Sequence, residues 1–533
     1  MKQILFTLIV ILSLSLYACG DEGAVTYDTE GFNTVTPQSA DDSGSGGTPG
    51  TTSTNCRSKA YYDYYDCGTN TLTDNGTDNS SGTGTSTVDV DTSPVTLDLK
   101  SGKFCSFSSA TSNASYFTQS SGPGTADTRT YALGSNEYGN INNTASTDPM
   151  GITLMDMREP TTQLSGGDSG LFALQNKTET DTEFGKLTVN HKPAVNVQLF
   201  GSSLGEGEYL LKSHQMNFDS KYGKSSWKVS AGHRATYILT NTGYLLSSGD
   251  NSWSQQVNEY SYDDVNGEFV YGENIGGDEN YPNQGNNTDR HFKNVLDVSA
   301  GAYHVCMIHG QRDVGGRIWC KGKSNHGQAL YDGSASTANQ YKDNLTSMTP
   351  AELEKLDEVN WHKHADDKDY VLIGSGYNHS CALRKNAEVR CWGSNEKGQS
   401  GQPLETTSVM TPSTVMLENG TPLYAKFLYA SRNSTYAIDI NGRLYSWGSN
   451  EFGKLGTTAI AADGMTHVPQ RVGTATNWTD VASYNHHVVG VQGEGKDRKF
   501  FGWGDNTKKQ LSLNFMTHFL EPIEIFLPAN ENF

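Results

Sequence analysis

Basic residues are scarce in this chain of 533: 39 Lys and Arg stand against 59 Asp and Glu, a formal net charge of −20 at pH 7. Such a balance repels phosphate backbones and anionic headgroups, and it argues against nucleic acid as a partner. Aliphatic content is low and long apolar runs are missing, apart from one near the start that is too short for a comfortable membrane span. The eight cysteines never form a Cys-x-x-Cys pair, the spacing with which many zinc sites begin. Neither a phosphate-binding glycine loop ending in Gly-Lys-Ser/Thr nor a His-Glu-x-x-His helix is spelled anywhere. Nothing in the sequence therefore calls for a cofactor or a resident metal.

The beginning of the chain is an address. Residues 1–18 carry Lys2, an apolar run from Ile4 to Leu16 and a small residue before Cys19, the layout of a signal peptide. Leu16-Tyr17-Ala18-Cys19 resembles the lipobox of bacterial lipoproteins, which implies cleavage before Cys19 and lipidation of its sulfur. A secretory signal cut elsewhere is the alternative. Acyl chains on Cys19 would hold the protein at a membrane, each buried methylene contributing about 0.8 kcal/mol. Gly20 stands where Asp favours the inner membrane, so the outer membrane or cell surface is the expected place.

Residues 19–93 are mostly Gly, Ser, Thr, Asp and Asn, and cannot bury enough apolar surface to offset the entropy of ordering. They read as a disordered, acidic tether. Within it, Cys56 and Cys67 bracket four tyrosines and could close a small disulfide loop.

The remainder, 94–533, repeats itself. VRCWGSNEKGQSG at 389–401 returns as LYSWGSNEFGKLG at 444–456. Related copies place a glycine at 134, 201, 249, 322, 393, 448 and 504, with intervals of 48 to 73 residues. A second signature precedes the later copies, as in Val298-Ser-Ala-Gly-Ala-Tyr-His-Val-Cys306 and Ile373-Gly-Ser-Gly-Tyr-Asn-His-Ser-Cys381. A short strand, a turn and a second strand ending in Trp-Gly describe a hairpin, and seven such units make a propeller.

These two signatures resemble the regulator of chromosome condensation repeat family. The resemblance covers 94–533 and implies an all-β fold, a seven-bladed β-propeller. In this reading the glycine after the tryptophan lets neighbouring blades pack closely, and the Asn that follows satisfies turn backbone. The strand at Glu521–Phe526 has no eighth repeat to serve, so it is expected to join the first blade near Pro94–Leu99 and close the ring.

The cysteines test the repeat internally. Cys306 and Cys320 hold the same two repeat positions as Cys381 and Cys391, while other copies have Tyr237 with Ser247, Tyr436 with Ser446 and Val488 with Gly502. Cysteine at both positions or neither is what cross-strand neighbours predict. Two disulfides, Cys306–Cys320 and Cys381–Cys391, follow, and suit an exported protein. Cys105 is left over as a candidate buried thiol.

His233, His304, His379 and His486 recur in the second signature and read as hydrogen-bonding parts of the blade rather than catalytic groups. His362-Lys-His364-Ala-Asp366-Asp367 reads as a solvated loop. Three functions stay open: a non-enzymatic binding module anchored at the cell envelope, a hydrolase with carboxylates converging on the propeller axis, and guanine-nucleotide exchange, the activity the family name implies. Export disfavours the last. For the first, the long intervals after 134, 249 and 322 suggest insertions that follow the Trp-Gly turn and share one face. The stretch 252–294 is the richest, with Trp253, Tyr260, Tyr262, Phe269, Tyr271 and Tyr281 among acidic residues. Such aromatics suit contact with an extracellular or envelope protein or a glycan. Thr349-Pro350-Ala351-Glu352 starts a short helix in the next insertion.

Overall fold

A propeller blade is covered on both faces by its neighbours, so its inner strands lose the alternation of a half-exposed sheet. Val295–Ala300 and Tyr370–Ser375 are accordingly buried throughout, whereas the outer strand Ser408–Thr414 keeps exposed positions. The computed structural model describes residues 103–528 apart from loops, the larger excluded stretches being 176–196, 202–210, 216–225, 250–261, 270–294 and 331–361. Before residue 103 it describes the strand Lys59–Tyr65. Cys19, Cys56, Cys67 and the helix expected at 349–352 lie outside the described residues.

Seven antiparallel blades follow one another, spanning 108–154, 161–215, 226–249, 295–363, 370–414, 425–471 and 478–525. In each the first strand is innermost and later strands add outward. The degenerate copy at Gly201 is a true third strand, Val197–Gly201, paired with Gly170–Gln175. Because first and third strands run the same way, the turns that end them emerge on one face, and the turns that end second strands emerge on the other.

Neighbouring blades are joined by hooks that the repeat supplies. Trp392, Trp447 and Trp503 are fully buried, and each donates its indole N–H to a carbonyl of the preceding blade, at Gln328 (3.0 Å), Gln399 (3.0 Å) and Lys454 (2.9 Å). Around the axis, Ser109, Ser165, Ser230 and Ser299 each accept a backbone N–H from the next inner strand. His304 and His379 meet Ser380 and Thr435 of the following blade, both at 2.9 Å. Burial pushes both imidazoles down to about 3, so they bond as neutral rings.

This corrects the histidine register. His487, not His486, occupies the buried position, because Ser483 pairs with Val488 where Ala300 pairs with Val305. The same shift makes Val489, rather than Val488, the partner of Gly502. His233 also falls elsewhere: Ala235 holds its blade's equivalent position, and His233 lies in the turn.

One buried ion pair binds three blades. Asp297 accepts Lys228 Nζ from the third blade and Ile373 N–H from the fifth. Burial pushes Asp297 up to about 6 and Lys228 down to about 8, each opposed by its partner's charge. The pair is held by enclosure, and losing either member would strand the other.

The repeat asparagines behave as expected. Asn395 Oδ1 accepts Ser400 N–H at 3.0 Å while its amide donates to carbonyls of Gln402, Pro403 and Thr406. Asn450 and Asn506 do the same in the sixth and seventh blades. The glycine after tryptophan is required by its own blade as well as by the neighbouring one. Gly393 has φ +95°, and a Cβ there would stand 2.6 Å from Asn378 O of its own blade. The preceding blade crowds it too, since that Cβ would stand 3.1 Å from Gln328 Cβ, and the later glycine meets the next blade, a Cβ on Gly456 standing 2.7 Å from Trp503.

Ring closure also differs. His518–Ile525 pairs with Lys499–Asp505 and is simply the fourth strand of its own blade. Pro94–Leu99 lies outside the described residues. The last and first blades meet instead through Asp480, whose Oδ2 accepts Phe107 N–H, Ser108 N–H and Ser108 Oγ–H at 2.9, 3.0 and 3.1 Å. Part of the expected tether is structured too. Lys59–Tyr65 pairs with Lys103–Cys105, and its backbone lies beside the inner strands of the second, fifth, sixth and seventh blades.

Both predicted disulfides are present. Cys306 faces Cys320 and Cys381 faces Cys391 in directly paired registers, bonded at 2.07 and 2.03 Å. Replacing Cys381 and Cys391 with Ser and Ala is expected to lower stability by about 2–3 kcal/mol in the chain-entropy account. Denaturant titration measures this, and alkylation of both native thiols without reductant would contradict the bond.

Candidate binding site at the axial mouth

The turns that end the inner strands converge on the axis. Aligned by strand register, one turn position reads Ser112, Asp168, His233, Ala302, Tyr377, Arg432 and Asn485 through the seven blades. The position just before it is small in six blades, as Thr111, Gly167, Gly232, Gly301, Gly376 and Ser431, and is Tyr484 in the seventh. The turn position itself is chemically different in every blade.

The side chains touch in a ring. Ser112 donates to Asp168 Oδ1 at 2.5 Å, and Asp168 Oδ2 lies 3.5 Å from His233 Nδ1. The His233 ring packs against Tyr303 and Tyr377 at 5.5 and 6.0 Å. Arg432 lies 5.6 Å over the Tyr377 ring and donates to Asn485 Oδ1 at 2.7 Å, while Asn485 donates to Ser112 Oγ at 3.4 Å. Asp168, His233, Tyr377, Arg432 and Asn485 border a cavity of about 200 Å³, with the small Gly376 and Ala430 and the larger Tyr429 and Tyr484 among its walls.

The electrostatics beside it are uneven. Lys454 is buried, its ammonium 3.5 Å from Asn485 O and 3.9 Å from Glu451. Burial lowers its pKa to about 8, with Glu451 opposing and the charges of Arg432 and Lys397 adding to the fall. His486 is pushed down to about 4, chiefly by burial, so its 3.3 Å contact with Glu451 is not an ion pair at neutral pH. Among the described lining residues Asp168 is the one carboxylate, so the mouth shows no pair of carboxylates for acid–base work. No group of three metal-binding side chains occurs among the described residues.

Few of the residues expected from sequence can be placed. Trp253, Tyr260, Tyr271 and Tyr281 lie outside the described residues. Tyr262 and Phe269 pair across a short hairpin formed by Tyr262–Asp263 and Glu268–Phe269. The insertions after Gly249 and Gly322 leave third strands, hence on the face of the axial mouth. The interval after Gly134 breaks that rule: its largest break lies between Gly170–Gln175 and Val197–Gly201, on the opposite face. In the polar run near 362, His362–Lys363 is an outer strand, and Asp367 pairs with Arg384 and Arg390. Gly201-Ser-Ser-Leu-Gly205 has the letters of a nucleophile elbow, yet its first glycine ends a blade strand. Asp168, Tyr377, Arg432 and Asn485 escaped sequence reading, although alignment of the repeats at this one phase would have exposed them.

Seven antiparallel blades closed around such a mouth define a β-propeller. A profile of the Regulator of chromosome condensation (RCC1) repeat matches residues 370–399, and another of that description matches 441–491. Human WBSCR16 superposes with a TM-score of 0.54 at 13% identity, over 75% of this chain and 95% of that one. Prp20p of Saccharomyces cerevisiae gives 0.52 at 14% identity, over 80% and 88%. This chain is a β-propeller of the regulator of chromosome condensation type. It is also similar to the probable E3 ubiquitin-protein ligase HERC4 of Rattus norvegicus, 28% identical over 166 residues, 31% of this chain. The chain spans about 15% of that relative's length.

Proposed function

We propose that this propeller is a non-enzymatic binding module, held at the bacterial envelope by a lipid on Cys19, that recognises a protein or glycan outside the cytoplasm. The observation that carries the reading is the turn ring. Three blades share the tryptophan hook and four share the axial serine, whereas one turn position at the axial mouth holds a different side chain in all seven. Repeat architecture explains the sameness; recognition explains the difference. The insertions after Gly249 and Gly322 begin at third strands that end on this face. Scaffold alone does not fix function, so the hydrolase reading is judged on the site, where Asp168 stands without a second carboxylate among the described residues.

Replacing 255–290 by a short Gly-Ser turn tests the face. Capture of envelope proteins or glycans by the full-length variant is expected to fall to background while the thermal midpoint stays put. Undiminished capture would move recognition to the opposite face.

A further inference from the structure

We propose that the axial mouth is a receptor for a carboxylate, with Arg432 as the receiving group and an acidic side chain of a partner protein as the source. This rests on the binding-face reading above and gives it a chemistry.

Arg432 is exposed yet fixed. Its guanidinium lies over Tyr377, and its Nη1 alone is engaged, by Asn485 Oδ1 at 2.7 Å and His486 Nε2 at 3.3 Å. Among the described residues that leaves Nε and Nη2, one edge of the planar fork, without a partner, and this geometry matches the two oxygens of a carboxylate. No carboxylate stands within ion-pair distance of it among the described residues. The contrast with Arg384, Arg390 and Arg443 is plain, since each is paired with Asp or Glu. In a chain with a formal charge of −20, an arginine held ready without a counterion marks a place kept for one.

Its surroundings have the same sign. The buried Lys454 ammonium feels the charges of both Arg432 and Lys397, and Glu451 lies 3.9 Å from that ammonium. Asp168 lies across the ring, engaged by Ser112 and His233. The cavity of about 200 Å³, with glycine, alanine and serine between Tyr377, Tyr429 and Tyr484, admits a side chain rather than a helix. A protein source is favoured by a second feature of this face. The turn ending the third strand of the seventh blade exposes Leu513, Phe515 and Met516 at 60, 101 and 55%. Large apolar side chains standing in water suit a protein surface better than a sugar.

The test uses the full-length chain and three probes in calorimetric titration: the blocked peptide Gly-Glu-Gly, the same peptide with Gln, and glucuronate. The Glu peptide is expected to bind about tenfold more tightly than the Gln peptide, as loss of a charge-assisted bond predicts. Arg432→Gln should erase that preference and Arg432→Lys should keep part of it, both with unchanged thermal midpoints. Equal binding of the two peptides, or no binding of either, overturns the carboxylate receptor. Tighter binding of glucuronate overturns the protein source. If these fail while capture still depends on 255–290, the binding face stands and this inference alone falls. If capture ignores that loop but Arg432→Gln still erases the Glu preference, the face reading falls and the receptor remains.

Discussion

Trp447→Ala is expected to cost about 3–5 kcal/mol of folding stability, the range for removing a large aromatic from a packed core. Trp447 is fully buried at the seam between the fifth and sixth blades, within the main hydrophobic cluster. Its indole N–H also hooks the fifth blade through Gln399 O. The two contributions can be separated. Gln399 O accepts a second bond, from Thr435 Oγ1 at 2.8 Å, so losing the indole donor does not orphan it. Trp447→Phe should therefore cost about 1–1.5 kcal/mol, mostly from lost volume. Midpoints of denaturant unfolding, with unchanged slopes, measure both. Equal losses in the two variants would show that the hydrogen bond, and not the packing, secures the seam.

That seam was legible in the sequence because the repeat spells it. Trp-Gly recurs at 392, 447 and 503, and the side chains that set blade number, strand order and disulfide pairing are the ones that must recur. Cys306 with Cys320 and Cys381 with Cys391 could be paired because cross-strand neighbours change together. Legibility ended where the repeat is broken. His486 and His487 adjoin, and sequence alone cannot tell which is buried; strand pairing decides it. Gly201 kept its strand, while the residues inserted before it hid their own place, so an insertion between second and third strands passed for one after the third. Arg432 and Asp168 sit in turns where each blade differs, and a reader searching for sameness passes over them. Ring closure failed for a related reason. A strand like Glu521–Phe526 announces its kind but not its partner, and the actual seam depends on one aspartate whose bonding partners lie some 370 positions earlier.

Asp480→Ala is expected to weaken that seam by about 3–5 kcal/mol, because two backbone N–H groups and a hydroxyl lose their one shared acceptor oxygen. Asp480 is fully buried on the inner strand of the seventh blade, and its Oδ2 gathers Phe107 N–H, Ser108 N–H and Ser108 Oγ–H of the first. Arg498 reinforces the contact by donating to Ser120 O at 2.6 Å and lying 3.4 Å from the centre of the Phe107 ring. These bonds are one sheet's answer to another across a gap that no strand spans. Asp480→Asn keeps an acceptor of lower charge and should lose about half as much. Deletion of 519–533 provides the contrast. It strips the outer strand from the seventh blade and uncovers Phe500, which had paired with Ile525, yet leaves the Asp480 seam in place. Hydrogen exchange separates the two cases. Asp480→Ala should speed exchange at the Phe107 and Ser108 amides above all, whereas the truncation should speed it along Lys499–Asp505 and spare those two. If the Phe107 and Ser108 amides stay protected in Asp480→Ala, the ring is closed by something other than this carboxylate.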